Sequence, residues 1–294
     1  MITSCVGSGI QLTFEGIEPA KNGRALFKPD FYSEFMGGLG DVVLRMHETG
    51  CYSVLEDAVP GKSAVVVLMS HNPYVRDLFE WHRNRDRINV YDLGFTTPFH
   101  PWENREWRIE HGLPPTSPSI YPLSDRPIRY YPSRDDFQFV ESVRKNQYVV
   151  VSVSAGNEER TIPEAIRESV ADWIIGSGFR LVVVGRSEYR CNRNLDVRNR
   201  LNVIDALDLL SVPGTAELIR HAAGVISSHT SIFHIAIEAK KPTMLLYPKI
   251  VKERYVGFGP VGYMKGIDRP KNDHMEFSEY TVERMAKWIQ GLLK

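Results

Sequence analysis

The sequence predicts an α/β chain built from two Rossmann-like domains facing a cleft. Three observations predict it. Apolar runs of strand length recur over 63–69, 148–154 and 180–185; each leads through a turn into a helical pattern; and a proline-rich stretch divides the chain into two such series. Uninterrupted apolar runs suit strands covered on both faces, and strands alternating with helices make a parallel sheet.

Residues 1–30 mix glycine, threonine and charge without a sustained period, and 11–17 supports at best an edge strand or a hairpin. A strand is predicted over 30–36, running through Gly37-Gly38-Leu39-Gly40-Asp41 into a helical pattern over 42–47. Glycines there let the backbone pass close to a ligand, and an aspartate at the start of a helix caps it. A tight turn closed by an N-cap explains the same residues equally well. The turn is neither GxGxxG nor the Lys-Ser/Thr phosphate loop, so dinucleotide binding and nucleoside triphosphate hydrolysis lose their usual support. The run 63–69 is the next strand, a helix follows from Pro73 through His82, and 88–93 is a third strand. The aromatic stretch 95–113 sets rings beside His100, Glu103 and Asn104, which suits either a sugar-facing surface or a loop packed onto its own domain; a helix is predicted over 107–113.

Prolines 114, 115, 118, 122, 127 and 132 mark an extended connection. The expected division is an N-terminal domain over 1–133, a C-terminal domain over 134–276 and a terminal helix over 277–294 able to pack back on the N-terminal domain. After the prolines the α/β rhythm restarts with the strand 148–154, a turn through Arg160 to Pro163, a helix over 164–175 closed by Gly176 and Gly178, and the strand 180–185. Gly185-Arg186-Ser187-Glu188 is a loop at the carboxyl end of that strand. A short strand is expected over 201–205. Residues 214–247 then read as helix, short apolar strand, polar turn, second helix and buried strand. The turn over 227–231 is the first candidate binding site, because ligands of α/β sheets sit outside the carboxyl ends of strands, where helix N-termini offer N–H groups to anions. Past Pro248 the pattern is irregular. A final helix is expected over 278–293, with Ser278 as N-cap and Val282, Met285, Ala286, Ile289 and Leu292 at helical spacing.

The chain has 294 residues, with 36 basic and 36 acidic side chains, so no global field draws it to nucleic acid or to an anionic membrane. No stretch approaches ~20 apolar residues and the N-terminus lacks a signal-peptide pattern, which leads us to expect a cytoplasmic protein without stable membrane insertion. Cys5, Cys51 and Cys191 are odd in number and widely separated, which argues against a disulfide framework or a zinc site.

Four separated stretches resemble glycosyltransferase family 9, the lipopolysaccharide heptosyltransferases of GT-B fold. Gly38-Leu39-Gly40-Asp41-Val42-Val43 is similar to the family's Gly-x-Gly-Asp turn, and 149–163 to its strand, small-residue turn and Lys-x-Trp-Pro, here Arg160-Thr161-Ile162-Pro163. Residues 181–188 resemble its Val-Val-x-x-Gly-x-x-x-Glu segment. The stretch through His229-Thr230-Ser231 and His234 is similar to its Asp-Ser-Gly-x-x-His-x-Ala signature. The resemblance implies transfer of a sugar, heptose or hexose, from a nucleotide-diphosphate donor to a hydroxyl of a glycan or other acceptor. Inversion, no obligatory metal and no cofactor beyond the donor are implied with it. It makes Asp41 the general base, with Gly38 and Gly40 on the acceptor side. Ser154, Arg160, Gly185, Glu188, His229, Thr230, Ser231 and His234 become the donor-binding set.

The signature departs from the family where it counts. His229 stands for the acidic residue, Thr230 for serine and Ser231 for glycine. His229 is either a phosphate contact or a helix cap, and His234 either a ligand-facing or a packed helix histidine. Glu188 reaches a ribose or base, or is a solvated acid; Lys249, Lys252 and Arg254 read first as a solvated charged face. Two further readings stand beside the leading one. In the first, the same fold acts on a modified nucleic-acid base or a protein side chain, which the basic and aromatic Arg126, Arg129, Tyr130, Tyr131, Arg134, Arg144 and Lys145 admit without favouring. In the second, the fold binds a nucleotide or sugar without turnover.

Overall fold

A computed structural model describes residues 2–5, 11–14, 17–19, 25–27, 31–36, 38–40, 42–43, 64–69, 72, 74–83, 88–92, 129–153, 155, 158–187, 201–249 and 271–293. The chain divides into two compact units, Met1–Arg129 and Tyr130–Lys294. The break falls a few residues before the 133/134 boundary expected from the prolines. Ser133 explains why: it caps the first helix of the second unit, so the residues leading into it belong there.

In the first unit, β1 (Ile2–Cys5) pairs antiparallel with β2 (Gln11–Phe14), and β3 (Ile17–Pro19) with β4 (Ala25–Phe27). Strands this short hold too few residues for a period to show. The parallel sheet is β5 (Phe31–Met36), β6 (Ala64–Met69) and β7 (Ile88–Asp92), with the apolar β6 in the centre. At the carboxyl end of β5 the chain turns helical. Val42 donates its N–H to the Gly38 carbonyl at 3.1 Å, and Leu39, Val42 and Val43 are buried. Asp41, the expected general base, lies outside the described residues. Helix α1 (Tyr74–Arg83) starts where the Asn72 side chain accepts from the Tyr74 N–H at 3.0 Å, and it buries Val75, Leu78 and Phe79 on one stripe. The expected helix over 107–113 lies outside the described residues.

The second unit opens with α2 (Arg134–Val143), a helix that hydrophobic spacing alone did not announce but whose Ser-x-x-Asp start is a capping box. Its sheet has six parallel strands: β8 (Tyr148–Ser152), β9 (Arg180–Val183), β10 (Val203–Asp205), β11 (Gly224–Ser227), β12 (Thr243–Tyr247) and β13 (Asp273–Glu276). Their spatial order is β10-β9-β8-β11-β12-β13. The chain therefore runs outward from β8 through β9 to β10, then returns to β8's other side and runs outward again. Helix α3 (Glu164–Gly176) follows β8, α4 (Val212–His221) follows β10, and α5 (Ser231–Glu238) follows β11. Every residue of β8 and β12 is buried, as expected of central strands in a doubly covered sheet.

Val149, Val151, Ile226, Met244 and Leu246 from the sheet pack with Ile166, Val170 and Ile174 of α3 in one core. The terminal helix α6 (Val282–Gly291) adds Met285, Trp288 and Ile289 to that same core. The apolar face of this helix is thus used within the second unit. The Trp288 indole N–H further donates to the Lys271 carbonyl at 2.8 Å. Two details at this end also differ from the sequence reading. The N-cap is Thr281, whose hydroxyl accepts from the Arg284 N–H at 3.2 Å, while Ser278 donates instead to the Glu276 carboxylate at 2.6 Å. And β13, with its Asp-His-Met-Glu sequence, carries no β-branched residue to mark it as a strand. No described helix is long and apolar enough to cross a membrane.

Candidate functional site

In an open parallel sheet, a crevice forms where the strand order reverses, at the carboxyl ends of the two strands that flank the reversal. Here those strands are β8 and β11. Ser152, the last residue of β8, is the register partner of Ser227, the last of β11. The ladder continues one step further, the Ser228 N–H donating to the Ser152 carbonyl at 3.3 Å. The turn then locks itself: the Ser227 hydroxyl donates to the Ser228 carbonyl at 2.8 Å and shares a 3.2 Å hydrogen bond with the Thr230 hydroxyl. Among the described residues, the fully buried Ser228 hydroxyl has no hydrogen-bond partner.

Thr230 is the N-cap of α5, with extended backbone, but its hydroxyl is turned to Ser227 and makes no capping bond to the helix. The first turn contains no acidic residue, so the positive end of the helix dipole is not offset within it. Ser231 is the first helical residue and is half-buried.

His229 and His234 are each only 8% exposed, and their rings meet edge to face with centroids 5.5 Å apart. Phe233 completes the group at 5.2 Å from the His234 ring. Burial pushes the His229 imidazole down to about 4, and the positive charge of Arg160 adds to the effect. His234 is held well below the ordinary histidine range, first by burial and then by His229. Both rings are thus neutral at pH 7, each with one N–H donor and one acceptor nitrogen.

Arg160 reaches this group from the other side of the reversal. Beyond β8 the chain makes a single 3-10 turn, Glu158–Arg160, closed by the Thr161 N–H to the Glu158 carbonyl at 2.9 Å. It is then pulled back to the strand: the Ile162 N–H donates to the Val153 carbonyl at 3.0 Å, and the Ile162 side chain is buried in the core. This anchor keeps the half-buried guanidinium where its charge acts on His229. A cation, an uncapped helix end, two neutral imidazoles and a buried hydroxyl make a donor-rich surface suited to an anion.

The remaining expected residues divide. Gly185, two residues beyond β9, has φ of 138°, a conformation that favours glycine, and its carbonyl accepts from the Asp208 N–H at 3.1 Å. Asp208 also takes the Ser187 N–H at 3.2 Å, so this loop is bound to the one after β10. It stands at the same sheet edge as Arg160, one strand outward. Gly38 and Gly40 lie in the first unit. Ser154 and Glu188 lie outside the described residues, as do Lys252 and Arg254; Lys249 is exposed beyond β12. On α2, Arg144 pairs with Glu141 at 2.7 Å, giving that surface mixed rather than basic character. Sequence reasoning missed Ser152, although a serine closing an apolar strand is a legible sign of a strand end. Among the described residues no three His, Cys, Asp or Glu side chains are grouped to hold a metal ion.

No family model and no curated protein sequence matches the chain. Solved structures do. The E. coli ADP-heptose lipopolysaccharide heptosyltransferase II aligns over 90% of this chain and 98% of its own, with a TM-score of 0.56 at 10% identity. The glycosyl transferase family 9 protein from Veillonella parvula aligns over 90% and 96%, with a TM-score of 0.58 at 16% identity. E. coli heptosyltransferase WaaC with ADP-2-deoxy-2-fluoro heptose aligns over 89% and 99%, with a TM-score of 0.54 at 13% identity. At such identities the likeness shows the architecture alone, and that architecture is the GT-B fold of these glycosyltransferases.

Proposed function

We propose that the chain is a glycosyltransferase of the heptosyltransferase type, moving a heptose or hexose from a nucleotide-diphosphate donor to an acceptor hydroxyl, with inversion and without a metal. The observation that carries the reading is the meeting of Arg160, His229 and the uncapped N-terminus of α5 at the strand-order reversal of the second unit. WaaC, whose fold this chain shares, was solved with ADP and with an ADP-sugar, and a diphosphate is the ligand such a surface suits.

In this reading the guanidinium of Arg160 takes diphosphate oxygens with two donors at once. The first amides of α5, at Ser231 and beyond, face the charge that grows on the leaving diphosphate as its bond to the anomeric carbon breaks. The acceptor oxygen forms the new bond on the opposite face of the sugar, which inverts the configuration. Its proton goes to the carboxylate of Asp41, and the electron pair of the broken bond leaves with the nucleoside diphosphate. His234 packs under His229 and fixes its ring.

Thermal-shift measurements with ADP, UDP, GDP and CDP and their sugars test the donor, since a ligand at a hundred times its dissociation constant stabilises by about 2.7 kcal/mol. Release of nucleoside diphosphate in the presence of acceptor tests turnover. A chain that binds none of these nucleotides does not have this function. One that binds but never releases product across a broad acceptor panel is a binding protein instead.

A further inference from the structure

The donor set at the sheet edge has an unusual charge count. The resemblance expects an acidic residue at position 229; the chain has a buried imidazole there, edge-on to a second imidazole, at the start of a helix whose N-cap Thr230 makes no side-chain cap bond, and within reach of the charge of Arg160. Among the described residues, the charge acting on it is that of Arg160, from the turn after β8, and the ring of His234, from α5, meets it edge to face. The diphosphate of a nucleotide sugar carries two negative charges, and Arg160 supplies one positive charge.

We propose that His229 supplies the second: it takes up a proton as the donor binds and so makes this site selective for a ligand carrying a full diphosphate. This rests on the donor-site reading above. In the empty protein, desolvation and Arg160 both hold the ring neutral. An arriving diphosphate acts against both, since it compensates the guanidinium and places anionic oxygens beside the ring, which favours the charged form. The imidazolium then has two N–H donors where the neutral ring had one. Linkage fixes the direction. Because the ring's affinity for a proton is higher with donor bound, donor affinity must rise as pH falls, by up to about tenfold per pH unit where a whole proton is taken up. The neighbouring Ser228 hydroxyl, buried without a hydrogen-bond partner among the described residues, leaves one further polar atom at the same turn for the bound state to satisfy.

The test is calorimetric titration of the full chain with ADP-, UDP-, GDP- and CDP-glucose. Their phosphates are diesters and do not titrate between pH 5 and 8, so any proton taken up is the protein's. Repeating each titration at pH 6, 7 and 8 in buffers of different ionisation enthalpy counts protons directly. The expected result is uptake approaching one proton per ligand, and affinity at least about tenfold tighter at pH 6 than at pH 8. His229→Gln should bind with affinity flat across that range. Arg160→Gln should bind more weakly at every pH and keep the pH dependence, which separates the two groups and supplies a variant independent of substitution at His229. Affinity flat within about twofold in the unaltered protein, uptake that survives in His229→Gln, or pH dependence lost in Arg160→Gln overturns the inference while leaving the donor site standing. Failure of all four ligands to bind overturns both.

Discussion

The buried carboxylate of Asp136 holds two helix starts together, and its removal should be felt by the whole second unit. One oxygen accepts the Ser133 N–H at 2.9 Å, the Ser133 hydroxyl at 2.8 Å and the Ser211 hydroxyl at 2.7 Å. The other accepts the Ser211 N–H at 3.0 Å. Ser133 and Ser211 are the N-caps of α2 and α4, so a single side chain fixes where both helices begin. In Asp136→Ala, two backbone N–H groups lose their partner in a site that is only 4% exposed; at about 1–3 kcal/mol each, a loss of about 2–6 kcal/mol is expected. Asp136→Asn keeps the shape, but its amide nitrogen must face one of the two N–H donors, so about 1.5–3 kcal/mol should be lost. Burial by itself would raise the pKa of this group; the bonds from Ser211 and Ser133 outweigh it and hold the carboxyl below its usual value. A depressed folded-state pKa contributes stability above the unfolded value of about 3.9, lost as pH falls through the folded value. Urea denaturation should therefore show a constant gap between the natural chain and Asp136→Asn from pH 7 to 5, narrowing below about pH 4, with unchanged m-values. A gap under about 0.5 kcal/mol at pH 7, or one that does not narrow in acid, would refute this account. A built-in control exists at Gly214, where an added Cβ would lie 2.1 Å from the carboxylate. Gly214→Ala should be strongly destabilising alone and much less so in Asp136→Ala, a coupling that a double-mutant cycle measures directly.

Three other outcomes are expected. Asp41→Asn should retain nucleotide-sugar binding by calorimetry and lose about 10²–10⁴-fold in transfer rate, the range for a positioned general base; full rate would remove Asp41 from that role. Arg160→Lys should weaken nucleotide-sugar binding by roughly tenfold, because an ammonium replaces two fixed donors with a point charge, and equal affinity would show that no paired contact is made. Gly224→Ala places a Cβ 2.9 Å from the end of Leu292 and 3.0 Å from Trp288, so it should lower stability by about 1–2 kcal/mol, with the loss largely absent in a Leu292→Ala background.

The elements that were legible in the sequence share one property: they are decided by residues near one another in the chain. The strands at 63–69, 148–154 and 243–247 are apolar runs bounded by turn residues, and the structure buries every described residue of the last two strands, where burial on both sides needs such runs. What escaped was decided elsewhere. β13 is a strand because its backbone pairs with β12, with Met275 alone reaching the core cluster, and nothing in Asp-His-Met-Glu states that in advance. The terminal helix was legible, but the body that receives its apolar face was not, because Met285 and Ile289 describe a stripe and not its partner. α2 was missed although its capping box was in view, since its stripe is weak and its start is fixed by Ser211, far along the chain.

The site divides in the same way, and the division explains why position survives where identity does not. A turn at the end of β11 faces a turn at the end of β8 because the strand order reverses between them, and that reversal follows from topology, not from what residue 229 is. The apolar runs that build the sheet thus locate the candidate surface even where its signature has changed. The chemistry of the surface rests on far fewer atoms. A carboxylate at position 229 would feel the charge of Arg160 and partly neutralise it; the imidazole actually present is pushed toward its neutral form first by burial and then by that same guanidinium. One substitution therefore shifts the charge at this turn by about one unit without moving a strand.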